Sequence, residues 1–102
     1  MRRGEVWWPE PPDSKRRPVL ILTRDEAIDR VFDVIAVPAT GVVRDLPTEV
    51  ELGRDDGMPI DSVLAVDNTF SAEKAFLTER ITTLGTDKMA EVCAALRVAT
   101  RC

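Results

Sequence analysis

The strongest constraint on the fold is the shortness of the apolar runs. Val19-Leu20-Ile21-Leu22, Val34-Ile35-Ala36-Val37 and Val63-Leu64-Ala65-Val66 are four residues each, bounded by proline or by polar, turn-forming residues. Runs of that length, rich in β-branched residues and set between breakers, are strand signals. The sequence predicts strands over Gly4–Trp8, Val19–Leu22, Phe32–Val37, Thr48–Leu52, Ser62–Val66 and Phe76–Thr83. Pro9, Pro11 and Pro12 end the first in a stiff loop with Asp13 and Ser14. Pro18 is tolerated as the first residue of the second, and Pro38 closes the third. Thr23 and Glu26 have capping-box spacing, which predicts a short helix over Arg24 to about Arg30. Ala39–Pro47 reads as a loop, Arg54–Gly57 as a turn, and Asn68–Lys74 as a loop or a single helical turn.

The hydrophobic period changes only near the end. Met89, Val92, Cys93 and Leu96 stand at i, i+3, i+4 and i+7, one stripe of a helix. Thr86 is the expected N-cap, with Asp87 suited to the first turn. Many short strands, a brief early helix and a closing helix predict a mainly β (α+β) fold: a small, strongly bent antiparallel barrel. At 102 residues, one domain over 1–102 is expected, with room for one modest core.

Charge bears on function. The formal net charge of −4 argues against adhesion of the whole surface to nucleic acid. It leaves room for a local basic groove, because phosphates follow local cations. Arg2, Arg3, Lys15, Arg16 and Arg17 place five of the fourteen cations in the first seventeen residues. A solvated charge run is the plain alternative. There is no histidine, and Cys93 and Cys102 have no zinc or CxxC spacing. No metal site and no cofactor are therefore expected. Cys93 reads as a buried thiol and Cys102 as a frayed end, which fits a reducing cytosol. The N-terminus lacks the apolar run of a signal peptide, and no segment approaches membrane-spanning length. A cytoplasmic protein is expected.

Three spots could carry chemistry. Arg17 precedes a proline, which biases its backbone toward extended geometry at the mouth of an apolar strand. Its planar guanidinium suits phosphate oxygens and stays protonated. Pairing with a nearby surface carboxylate is the alternative. Thr40 lies just past the predicted third strand, where a hydroxyl can hold a phosphate oxygen or merely close a turn. Asp67 and Asn68 follow another apolar strand and could read base edges or stabilise a turn. Trp8 could stack on an unstacked base. Adjacent strand residues face opposite sides, so one of Trp7 and Trp8 belongs to the core.

Taken together, the chain resembles the MazF/PemK/Kid family of toxins from bacterial toxin–antitoxin pairs. The matching blocks are Arg3-Gly4-Glu5-Val6-Trp7, Arg17-Pro18-Val19-Leu20-Ile21-Leu22, Val37-Pro38-Ala39-Thr40, Leu46-Pro47-Thr48-Glu49-Val50, the Asp67-Asn68 pair and Arg80-Ile81-Thr82-Thr83-Leu84 before the terminal helix. The resemblance implies an SH3-like barrel, a homodimer, metal-independent cleavage of single-stranded RNA and an antitoxin partner with an acidic tail. It assigns catalytic roles to Arg17 and Thr40 and a contributing role to Asp67. Some members carry a glutamate in the first loop, where this chain has a shortened, proline-rich loop with Asp13. Some carry an arginine at the position of Ala65.

The reaction expected is attack by the RNA's own 2′-hydroxyl. It would leave a 2′,3′-cyclic phosphate, or its 3′-phosphate, and a 5′-hydroxyl end. Arg17 would neutralise the phosphorane and Thr40 would hold a non-bridging oxygen. Asp13 or Asp67 would be the acid or base. Lys15, Arg16, Arg44, Asn68 and Trp8 are the expected RNA contacts. Three segments, Pro9–Lys15, Ala39–Pro47 and Asn68–Lys74, would line one groove. The alternatives are a toxin of the same fold that poisons gyrase by binding, an SH3-like binding module, and a family member without activity.

Overall fold

A computed structural model describes residues 1–10 and 16–102. Seven strands form one antiparallel sheet: β1 (Glu5–Pro9), β2 (Val19–Ile21), β3 (Asp33–Thr40), β4 (Glu49–Leu52), β5 (Ser62–Ala65), β6 (Phe70–Glu73) and β7 (Leu77–Thr83). Helix α1 (Asp25–Ile28) lies between β2 and β3, and α2 (Thr86–Thr100) closes the chain. The strand order is β4-β5-β3-β2-β1-β7, and β6 joins on β3. The architecture is mainly β with a C-terminal helix, as the pattern of short runs predicts.

β3 is the hub. One edge pairs with β2 throughout Ala36–Pro38; the other pairs first with β6 and then with β5. This change of partner bends the sheet, and register shifts between β1 and β7 at Val6/Trp7 and Trp8/Pro9 add twist. β2 and the second half of β3 are buried on both faces and read as apolar runs rather than alternating ones, whereas at the start of β3 only one face is buried and Asp33 and Ile35 are exposed. Leu20, Leu22, Val37 and Ala39 join a core with Val6, Leu52, Met58, Leu64 and Val92. Val19, Ile21, Val34 and Ala36 face a second core with Ile28, Ala72, Leu77 and the half-buried Trp7. The expected division between the adjacent tryptophans holds: Trp7 packs against this core and Trp8 does not.

Several local expectations are corrected. β3 continues through Pro38 to Thr40. Leu22 N donates to Ile35 O and Ala39 N donates to Pro18 O, both at 2.8 Å, so the peptide groups of Ile35, Val37 and Ala39 face β2. Pro38 therefore faces the opposite edge, in the gap between the last β6 pair, Ala36–Phe70, and the first β5 pair, Ala39–Leu64. A residue without an N–H costs the ladder nothing there. Phe70–Glu73, expected as loop, is strand β6. Only Ala72 in it is buried, so its own pattern is weak and the pairing comes from β3.

The capping box at Thr23 does not form. Thr23 Oγ1 accepts from Ile35 N at 2.7 Å instead, and α1 is a single turn with Arg24 at its N-cap. At the other end of α1, Lys74 Nζ donates to Ile28 O at 2.5 Å. Helix α2 starts at Thr86 with Gly85 as N-cap, so Thr86 is inside the helix and does not cap it. Val92 and Ala95 are its buried residues, with Met89, Leu96 and Ala99 packed alongside. Cys93 is only half-buried, at the edge of the stripe, where Arg3 Nη2 donates to its sulfur at 3.4 Å. Among the described residues no helix is long and apolar enough to cross a membrane.

Candidate functional site

The β2–β3 register sets up the first half of the site. Val19 pairs with Pro38, Leu20 with Val37 and Ile21 with Ala36. The Ala39 N–Pro18 O bond carries that register one residue further. One more step sets Arg17 opposite Thr40. Two sequence blocks, Arg17-Pro18 and Pro38-Ala39-Thr40, thus become neighbours across a ladder, and both side chains line one pocket of about 230 Å³. Trp8, Arg16, Val42, Met58, Ile60 and Ser62 also line it.

Thr40 is the last residue of β3 and is buried, 8% exposed. Its Oγ1 accepts from Val42 N at 3.1 Å. That satisfies the oxygen and leaves the O–H as a donor for a ligand. The turn-closing and ligand-holding readings of Thr40 are therefore compatible. Arg17 is exposed at the pocket's mouth, and among the described residues no carboxylate pairs with it. Arg16 lies over the Trp8 ring, 4.9 Å from its centroid, donates to Pro9 O at 3.4 Å and meets Glu10 at 3.7 Å. The indole and the guanidinium form one wall, a cation–π contact that also fixes the half-buried ring.

Asp67, Asn68 and Arg44 stand elsewhere. They line a second pocket of about 260 Å³ with Leu46, Thr48, Glu49 and Ala65. Asp67 and Asn68 sit on a 3₁₀ turn, Val66–Asn68, which follows β5 directly and packs against α2. Thr48 Oγ1 donates to Asp67 Oδ2 at 2.5 Å, holding that carboxylate. Glu49 folds the intervening loop: its carboxylate accepts from Arg44 N at 3.1 Å and from Leu46 N at 3.2 Å. Asp45, at φ 56°, makes the left-handed bend between them.

The expected single set of residues is thus divided between two pockets. Arg16, Arg17, Thr40 and Trp8 share one; Arg44, Asp67 and Asn68 share the other. They are linked by the loop after β3, because Val42 borders the first and Arg44 the second, two residues or about 7 Å of chain apart. Asp13 and Lys15 lie outside the described residues. The Asn68–Lys74 segment contributes only Asn68 to these two pockets. Met58-Pro59-Ile60 takes the place expected of it beside Thr40. Sequence reasoning missed Thr48, Glu49, Ser62 and this tripeptide. The tripeptide had a signal: apolar residues set in a charged turn, with Ile60 exposed.

Comparisons with known proteins bear on the family and the fold. The model of the family described as PemK-like, MazF-like toxin of type II toxin–antitoxin system matches residues 2–100. The chain is 40% identical over 101 residues to the probable endoribonuclease MazF5 of Mycobacterium tuberculosis, covering 98% of this chain and 93% of that protein. It is 39% identical over 103 residues to the probable endoribonuclease MazF2 of the same species, covering all of both chains. Among solved structures, M. tuberculosis toxin MazF-mt6 superposes with a TM-score of 0.86 at 30% identity, over 95% of this chain and 96% of that one. A mycobacterial endoribonuclease in complex with its cognate antitoxin gives 0.89 at 25% identity, over 99% and 95%.

Proposed function

This chain belongs to the PemK-like, MazF-like toxin family of type II toxin–antitoxin systems, and from that premise we propose that it is an endoribonuclease centred on Arg17 and Thr40. The observation that supports the reading is the β2–β3 register, which brings a permanent cation to the same pocket as a hydroxyl whose proton is free. Its relatives are named as endoribonucleases over essentially their whole length, which supports RNA as the substrate.

The step is an intramolecular transesterification. The 2′-hydroxyl gives its proton to a base and forms a bond to phosphorus. The bond from phosphorus to the 5′-oxygen breaks, and that oxygen takes up a proton. The products are a 2′,3′-cyclic phosphate, which water can open to a 3′-phosphate, and a 5′-hydroxyl. Such a reaction asks for in-line geometry and stabilisation of the equatorial oxygens, and it needs no metal. Arg17 supplies the charge and a bidentate fork. Thr40 donates to a second oxygen. Asp13, four residues before Arg17, is one carboxylate available in sequence on this side, beside Glu10, which meets Arg16. Asp67, tied to Thr48 in the neighbouring pocket, serves the strand beyond the scissile bond together with Asn68 and Arg44.

Such a strand would run from the Arg16–Arg17 mouth along the loop after β3. Lys15 and Arg16 would neutralise flanking phosphates, and Trp8 would present its ring face to a base. An antitoxin with an acidic, extended tail would occupy the same line of cations and exclude RNA. A homodimer and a cytoplasmic setting complete the reading.

The test is cleavage of a long RNA of diverse sequence in EDTA, with both new ends mapped chemically. Cyclic or 3′-phosphate ends with 5′-hydroxyls are expected. Arg17→Ala should reduce the rate by about a hundredfold to a thousandfold. Ends bearing 5′-phosphates, or an Arg17→Ala variant as fast as wild type, would overturn the assignment.

A further inference from the structure

The pocket that holds Arg17 and Thr40 has more wall than phosphate chemistry needs. A phosphate requires donors, and Arg17 and Thr40 supply them. Much of the remaining lining is apolar: Trp8, Val42, Met58, Pro59 and Ile60. Ile60 is 65% exposed and Val42 54%. Both sit on loops beside the site, where no strand pairing demands an apolar residue. At about 230 Å³ the space is below the 300–1,000 Å³ usual for drug-sized ligands. It suits one flat, fragment-sized group. A planar group with an apolar face, attached to a phosphate held by a guanidinium, describes a single nucleobase.

One polar side chain interrupts this apolar lining. Ser62, the first residue of β5, borders the pocket. Its Oγ is shielded from solvent and is the one buried side-chain polar atom among the described residues without a hydrogen-bond partner. A hydroxyl in that state is costly to keep unless something else satisfies it. Serine has three staggered χ1 wells, so a rotation can turn the hydroxyl toward a seated ligand. A base with donors and acceptors on its edge supplies the missing partner.

Resting on the RNA-cleavage reading above, we infer that this pocket receives one unstacked nucleobase next to the scissile phosphate, with Ser62 bonding to its edge. Trp8, Met58, Pro59 and Ile60 pack on its faces and rim, so the pocket chooses which base flanks the cut. Arg17 and Thr40 then act on the phosphate and Ser62 on sequence. The segment from Met58 to Ser62 is the specificity element.

Two measurements test this. The first is cleavage of an RNA library by wild type, Ser62→Ala and Ile60→Ala, with the base frequencies around each cut compared. Ser62→Ala should weaken the preference at one position beside the cut by roughly three- to tenfold, the worth of one hydrogen bond. Ile60→Ala should flatten the same position. Unchanged preferences in both variants would overturn the inference while leaving the nuclease reading intact. The second needs no cleavage: titration of the wild-type protein with the four nucleoside 3′-monophosphates, followed by methyl NMR. The Met58 and Ile60 methyl groups should shift, more with one base than with the others. Arg16 and Arg17 amide shifts, followed in parallel, with no methyl shift would mean phosphate binding alone and would overturn it. So would methyl shifts caused by an acidic peptide carrying apolar side chains but by none of the nucleotides. Base-selective methyl shifts in a protein that cuts no RNA would support the pocket and reject the nuclease reading.

Discussion

The two pockets are built by different means. The Arg17–Thr40 pocket stands on a ladder: β2 and the stretch of β3 that pairs with it lie between two cores, and their register brings Arg17 and Thr40 to one pocket. The Arg44–Asp67 pocket has a ladder on one side, where Glu49 of β4 pairs with Ala65 of β5, but its loop side is tied only by side-chain hydrogen bonds, Thr48 to Asp67 and Glu49 to the backbone of Arg44 and Leu46. A ladder in a core cannot shift without exposing apolar side chains, because a one-residue slip turns every one of them over. A loop held by one carboxylate can be redrawn by one substitution. The lesson is structural: the backbone under Arg17 and Thr40 is set by a core ladder, and the loop that carries Arg44 is set by side-chain hydrogen bonds.

That contrast can be broken at several points. Arg17→Lys keeps the charge but loses the fork, and should slow cleavage by about ten- to hundredfold with the fold unchanged. A lysine variant as fast as wild type would mean that only charge matters there. Thr40→Val removes the donor while keeping shape, and should cost about five- to thirtyfold in rate. The Val42 amide also loses its acceptor, so circular dichroism and a melting curve separate local from global effects. If the rate holds and only the melting temperature falls, Thr40 is a turn residue and the ladder carries one functional group, not two.

The second pocket should respond more gently and in another coordinate. Glu49→Ala frees the Arg44 and Leu46 amides. It should lower stability by about 1–2 kcal/mol and alter base preference away from the cut, while cleavage of the best substrate slows only a few fold. A loss as large as that of Arg17→Lys would erase the distinction between the pockets. Thr48→Val releases the Asp67 carboxylate and should be mildest, within about 1 kcal/mol in stability and about twofold in rate. A much greater loss would mean that Asp67 must be held by Thr48 to serve the chemistry itself.

Particular residues show what could be read ahead of the structure. Val19–Leu22 was legible as a strand because burial on both faces leaves an unbroken apolar run, and Val34–Val37 because it is apolar between Asp33 and Pro38, although Ile35 in it is exposed. Arg17 and Thr40 were legible because each stands at the end of such a run. β6 was not, because Phe70-Ser71-Ala72-Glu73 buries one residue and takes its conformation from β3. Pro38 looked like a terminator because its tolerance depends on facing the gap between β6 and β5. The Thr23 capping signal failed because a tertiary partner, the Ile35 amide, took the same hydroxyl. Gly57, at φ 90°, was legible as a turn, yet its packing was not. A Cβ there would lie 2.3 Å from Thr82 Oγ1, which itself donates to Asp56 O. That turn carries Met58 into the pocket.

The sequence by itself determined the kinds of element, the apolar central strands and the placing of a cation and a hydroxyl at strand ends. These follow from side-chain burial and backbone preference, which act locally. Only the tertiary structure decided that Arg17 shares a pocket with Thr40 while Asp67 bonds to Thr48, and that Ser62 and Ile60 line the first pocket. Such meetings depend on register and on competition for hydrogen-bond partners between residues far apart in the chain, and no local pattern encodes that competition.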